Sequence, residues 1–156
     1  MMGDGAGHFT PVNDPALAAR VSSHSSLAVG DFDGDGLPDV IVGDWPDGHE
    51  GHFATMLHNV STPCGEWVDI AVKDRFGAPN PPGARVTLIS RDALSQQRRQ
   101  LREANTQSGF RSQSASFFLF GVPWGERIVS AKVRWPGGRT RTLRNLRPNH
   151  TSEARE

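Results

Sequence analysis

The stretch Asp31-Phe32-Asp33-Gly34-Asp35-Gly36-Leu37-Pro38-Asp39 constrains this chain more than any other. Carboxylates occupy the first, third, fifth and ninth places, and glycine the sixth. Acids this close repel one another unless a cation lies among them, and the glycine allows the backbone to bend sharply round it. Hard oxygen donors at alternate positions suit Ca²⁺, which accepts six to eight oxygens in flexible geometry. The expected ligands are Asp31, Asp33, Asp35 and Asp39, with the Leu37 carbonyl between them. A helix–loop–helix calcium site would place a bidentate Glu at position twelve, where this chain has Val42. The flanks, Leu27-Ala28-Val29 and Val40-Ile41-Val42, are short and β-rich, and Pro38 opposes a helix.

The zero net charge conceals a division. Residues 1–65 carry nine acids and one base, Arg20, whereas residues 66–156 carry eight acids and sixteen bases. Two segments are expected, 1–62 and 63–156, meeting at the turn-forming Ser61-Thr62-Pro63-Cys64-Gly65. Hydrophobic content of 36%, 17 Gly and 11 Pro favour a turn-rich β protein. No apolar run approaches the roughly 20 residues that span a bilayer, and Met1-Met2-Gly3-Asp4 carries no secretory signal pattern. The single Cys64 excludes an internal disulfide and reads as an incidental loop thiol.

In the first segment, Gly7-His8-Phe9 recurs as Gly51-His52-Phe53, a spacing of 44 residues that fits the period of propeller blades. A blade cannot bury its faces without neighbours, so a C-terminal piece of a longer propeller protein is expected. The group His49, His52 and His58 lacks the helical His-Glu-x-x-His spacing of zinc proteases and reads as surface loop.

Asp31 to Val40 resembles the calcium loop of FG-GAP/VCBS repeats, the blades of integrin-like β-propellers, with Gly5-Ala6-Gly7-His8-Phe9 and Leu57-His58-Asn59 as the bracketing strand and turn. The resemblance implies that Asp31, Asp33, Asp35 and Asp39 bind Ca²⁺ and brace the blade, while ligands are recognised elsewhere.

From Trp67 onward the sequence alternates with period two, the mark of a sheet with one wet face. Val68, Ile70 and Val72 form one inward set, and Val86 and Leu88 another. Ala115, Phe117 and Leu119 alternate with Ser114, Ser116 and Phe118, and Val129, Ala131, Val133 and Trp135 are expected to point inward. Trp135-Pro136-Gly137-Gly138-Arg139 should turn the chain into a hairpin with Thr140–Leu146, and Gln96–Glu103 fits a short helix or a polar strand. Arg85, inside an apolar strand, calls for an acid such as Asp69 as a buried partner. This half resembles the ASPIC/UnbV domain through Trp67-Val68-Asp69-Ile70, Pro82-Gly83-Ala84-Arg85-Val86, Ser108 to Gln113, Phe120-Gly121 and Val133 to Gly138. It departs from that pattern at Val122-Pro123-Trp124-Gly125, where the family usually continues Leu-Gly.

The fold expected is all-β: part of a calcium-loop propeller blade, then a small antiparallel β-sandwich or barrel. The function expected is a non-enzymatic, calcium-binding interaction or adhesion module at the C-terminal end of a propeller protein. Its partners would be a protein or glycan ligand and further propeller blades, in an extracellular, periplasmic or cell-surface setting. The chain lacks a Gly-x-Ser-x-Gly elbow, a phosphate-binding glycine loop and any tyrosine. A biosynthetic accessory protein or enzyme component is the alternative that bacterial relatives of this architecture imply. The arginines of Arg98, Arg99 and Arg102, and of Arg139, Arg141, Arg144 and Arg147, allow a polyanion-binding alternative. Nucleic acid is not expected, because neither an aromatic-interleaved RNA motif nor a recognition helix is present.

Overall fold

The structure is a computed structural model that describes residues 2–3, 6–11, 24–44, 54–105, 112, 114 and 118–156. The second Gly-His-Phe, His49, His52, Asp4-Gly5, residues 108–111, Gln113 and residues 115–117 lie outside that set. The described residues form strands and turns, as the period-two patterning requires.

A short antiparallel pair, β1 (Met2–Gly3) and β2 (Phe9–Thr10), precedes the blade strands. β3 (His24–Gly30), β4 (Asp39–Asp44) and β5 (Ala54–Leu57) form an antiparallel sheet in sequence order. The acidic loop connects β3 to β4, and Asp39 pairs across to Gly30.

The remaining strands are β6 (Gly65–Lys73), β7 (Arg85–Arg91), β8 (Gln97–Glu103), β9 (Leu119–Pro123), β10 (Arg127–Arg134), β11 (Thr140–Leu143) and β12 (His150–Arg155). They make two sheets, ordered β11-β10-β7-β8 and β12-β6-β9. One buried cluster joins them: Val68, Ile70 and Val72 of β6 meet Val86 and Leu88 of β7, Phe120 and Val122 of β9, and Ala131 and Val133 of β10. This is a β-sandwich, built on the alternation visible in the sequence. Trp135 closes one end, 1% exposed, with its Nε1–H donating to the Lys73 carbonyl at 2.9 Å.

Four expectations need correction or refinement. The sandwich is not wholly antiparallel, because β12 runs parallel to β6 from His150↔Val68 to Arg155↔Lys73. The residues between β11 and β12 let the chain re-enter on the same heading. Val129 does not share the inward face: a bulge between Ile128 and Ser130 shifts the register, and Ile128 packs on the core instead. Residues 97–103 are strand, the polar reading. Among the described residues, strand β8 is an edge with one neighbour, β7. Arg85 is exposed and pairs with Glu103, directly opposite it on β8, at 2.8 Å rather than with Asp69.

Trp135→Phe should keep the ring in the core but lose the indole hydrogen bond and some volume. A loss of about 1–3 kcal/mol in urea unfolding is expected; an unchanged midpoint would show that the indole N–H contributes nothing.

Candidate metal centre

Strands β3 and β4 hold the two ends of the acidic loop, so its carboxylates must turn inward onto its own amides. Asp31 accepts from the Gly34 N–H through Oδ1 (2.8 Å) and from the Gly36 N–H through Oδ2 (3.0 Å). Asp33 Oδ1 takes the Asp35 N–H, and Asp35 Oδ1 takes the Leu37 N–H at 2.7 Å. Asp39 ties the loop to the rest of the blade. Its Oδ2 accepts from the Phe32 N–H at 3.2 Å and its Oδ1 from the Asn59 N–H at 2.8 Å, just beyond β5. Asn59 also donates its side-chain amide to the Pro38 carbonyl.

Asp39 is 0% exposed, an uncommon place for a carboxylate. Its pKa is held below the ordinary value first by the Asn59 N–H, against the opposing effect of desolvation, with help from the Phe32 N–H and the charge of His58. It therefore stays ionised at neutral pH.

The four predicted carboxylates fall into two overlapping groups. Asp31, Asp33 and Asp39 each bring an oxygen within 4.8 Å of the others, and so do Asp33, Asp35 and the ring nitrogen of His58. Asp33 belongs to both and bonds His58 Nε2 at 2.8 Å through Oδ2. The first donor set is all hard oxygen with one buried member, which fits a divalent cation such as Ca²⁺ better than a softer ion. Leu37 contributes its N–H to Asp35. The part played by His58 was missed in the sequence, where it reads as one of three loop histidines. The turn Leu57-His58-Asn59 was the available signal.

The other face of the loop meets the sandwich. Gly36 has φ +88°, and a Cβ placed there would fall inside the indole of Trp67 on β6. Two residues on, Asp69 projects from the same face of β6, half-buried and bonded to Thr151. Burial pushes its pKa up, the Ile70 N–H and Thr151 offset part of this, and the like charge of Asp31 adds to the rise. The N–H groups of Leu27 and Val29 on β3 donate to Ser112 and Ser114. Blade and sandwich thus touch at several points. Beside the loop opens a cleft of about 460 Å³ whose walls include Asp35, Glu66, Trp67, Arg98, Trp124 and Asn149. Trp124, in the segment that departs from the family pattern, is 62% exposed there.

Comparison with known families finds two matches. The FG-GAP-like repeat matches residues 1–42, which contain the acidic loop. ASPIC and UnbV matches residues 76–156, more than half of the chain. The chain belongs to the ASPIC and UnbV family. No curated protein matches it. The architecture of this ASPIC/UnbV chain is that of a propeller-associated module, from domain families that are generally non-catalytic. The ASPIC and UnbV match begins at Phe76, after β6, although Trp67, Val68 and Ile70 of β6 belong structurally to the same sandwich.

Two measurements check these contacts. Gly34 also has positive φ (+80°), but a Cβ there meets open space. Gly34→Ala should therefore cost about 1 kcal/mol of left-handed strain, and Gly36→Ala should cost more and shift tryptophan fluorescence. Equal costs and an unchanged spectrum would remove the Trp67 contact. The raised pKa of Asp69 means that its folded state favours the proton, so its stabilising contribution is present at low pH and lost as pH rises through the folded pKa. Asp69→Asn should raise the melting temperature at pH 7, with the gain fading below about pH 4; a uniform loss at every pH would contradict this.

Proposed function

We propose that this chain is a calcium-braced, non-catalytic recognition module at the C-terminal end of a propeller protein. The observation that carries the reading is the buried, ionised Asp39 with carboxylate oxygens of Asp31 and Asp33 close around it. Three negative groups at such range repel one another, and a divalent cation would reverse that sign. Asp31, Asp33 and Asp39 would hold the ion, with Asp35 and the Leu37 carbonyl completing the shell. The ion would neutralise the loop and fix its shape. It would not take part in chemistry.

A braced loop presents a fixed Gly36 edge to Trp67, so calcium would also order the junction with the sandwich. The cleft there, with Trp67 and Trp124 and the charged groups of Glu66 and Arg98, supports ligand recognition at the border between the two parts. A protein or glycan would be the partner, and further blades would flank β3 to β5. Loops of this kind in extracellular modules bind Ca²⁺ in the 10⁻⁴–10⁻³ M range, which favours a calcium-rich setting outside the cytoplasm.

Calorimetric titration with calcium, paired with melting in calcium and in chelator, tests the reading. Saturable binding near one ion per chain and a raised melting temperature are expected, and Asp33→Ala should abolish both. If that variant responded to calcium as the parent does, the ligand set would be wrong.

A further inference from the structure

The outer face of the four-stranded sheet collects one sign of charge. On β7, Val86, Leu88 and Ser90 are buried, so Arg85 and Arg91 project from the opposite, solvent face. The register carries this parity to the neighbours. Arg134 lies opposite Arg85, Lys132 opposite Thr87 and Arg127 opposite Arg91 on β10, while Arg99 lies opposite Ile89 on β8. Six exposed cations therefore share one face with a single acid on these strands, Glu103, and Glu103 is engaged by Arg85. Strand period also divides the Arg98, Arg99 and Arg102 group. Arg98 and Arg102 turn toward the sandwich edge, where Arg98 pairs with Glu126 at 2.9 Å and Arg102 covers the Phe120 ring. Arg99 is left facing outward.

Between these cations lies a depression of about 240 Å³ lined by Arg85, Thr87, Arg99, Leu101, Lys132 and Arg134. Its size and its Thr87 and Leu101 lining suit a sugar ring, with cations around the rim for the ring's anionic substituents. From Arg85 to Arg91 the patch runs about 20 Å at strand rise, the length of a short oligosaccharide. Among the described residues no acid lines this depression. The described blade loop lies against Trp67 on β6, in the other sheet.

We propose that this face binds a sulfated polysaccharide, with a sugar ring in the depression and its sulfate groups on Arg99, Arg134 and Lys132. Guanidinium groups pair bidentately with such oxyanions. A nucleic acid duplex is a poorer fit, because a flat sheet face carries no element that enters a groove. Single strands are a poorer fit too, since among the described residues no aromatic ring projects from β7, β8 or β10 for bases to stack on. The inference does not depend on calcium binding.

The full chain would be titrated with a fluorescent heparin-derived oligosaccharide over a series of salt concentrations. Two double variants of equal charge change, R99S/R134S on this face and R139S/R144S around β11, would be compared after their melting temperatures are matched to the parent. The expected result is binding that weakens with salt and falls about tenfold or more in R99S/R134S, with a shallower salt slope, against a small change in R139S/R144S. Equal losses in the two variants would overturn the assigned face. Absence of binding by the parent, or equal binding of the fully desulfated oligosaccharide, would overturn the ligand class. Tighter binding to duplex DNA or to phosphatidylserine vesicles at matched salt would replace the polysaccharide with that polyanion.

Discussion

A buried carboxylate organises the blade end of this molecule. Asp39 stands at the start of β4, 0% exposed, and its two oxygens receive N–H groups from opposite sides, Phe32 in the acidic loop and Asn59 after β5. A buried charge without partners would cost far more than a protein of this size could sustain. The loop entry, the strand and the exit of the sheet are therefore held to one arrangement. Asp31 and Asp33 then converge on the same spot because their own oxygens are drawn to the amides of Gly34, Gly36 and Asp35. The loop is pre-shaped by its backbone and carries a concentration of negative charge that invites a cation.

That shape has a consequence beyond the blade. The same Gly36 whose left-handed backbone lets the loop turn also lets it lie flat against Trp67. Any side chain would displace the indole. The half-buried state of Asp69, and the influence of Asp31 on it, follow from the same approach. Conformation of the loop and docking of the blade on β6 are thus coupled through a glycine, and the cleft walled by Trp67 and Trp124 depends on that docking.

The sandwich separates its roles by face. Its interior is apolar, closed by Trp135. The outer side of β6 receives the blade. The outer side of β7, β8 and β10 carries exposed cations, and the edge strand β8 wraps Arg98, Gln100 and Arg102 over the sandwich rim, with Gln100 donating to the Gly121 carbonyl at 2.7 Å.

Much of this was legible without coordinates. Local spacing dictated the acidic loop, since carboxylates a few residues apart must share a turn, and period-two alternation announced β6, β7 and most of β10. What failed depended on pairing. A one-residue bulge at Val129 reversed a face that alternation alone assigned, and Arg85 found Glu103 because β8 lies alongside β7, a neighbour that no local pattern reveals. Parallel pairing of β12 with β6, the contact of Gly36 with Trp67, the addition of His58 to the acidic group and the gathering of Arg85, Arg99, Lys132 and Arg134 on one face all join residues distant in sequence. The sequence by itself determined which residues could bind and which could be buried, because those are properties of side chains and their local period. Only the tertiary structure decided which of them meet, because strand register and sheet order arise from long-range packing.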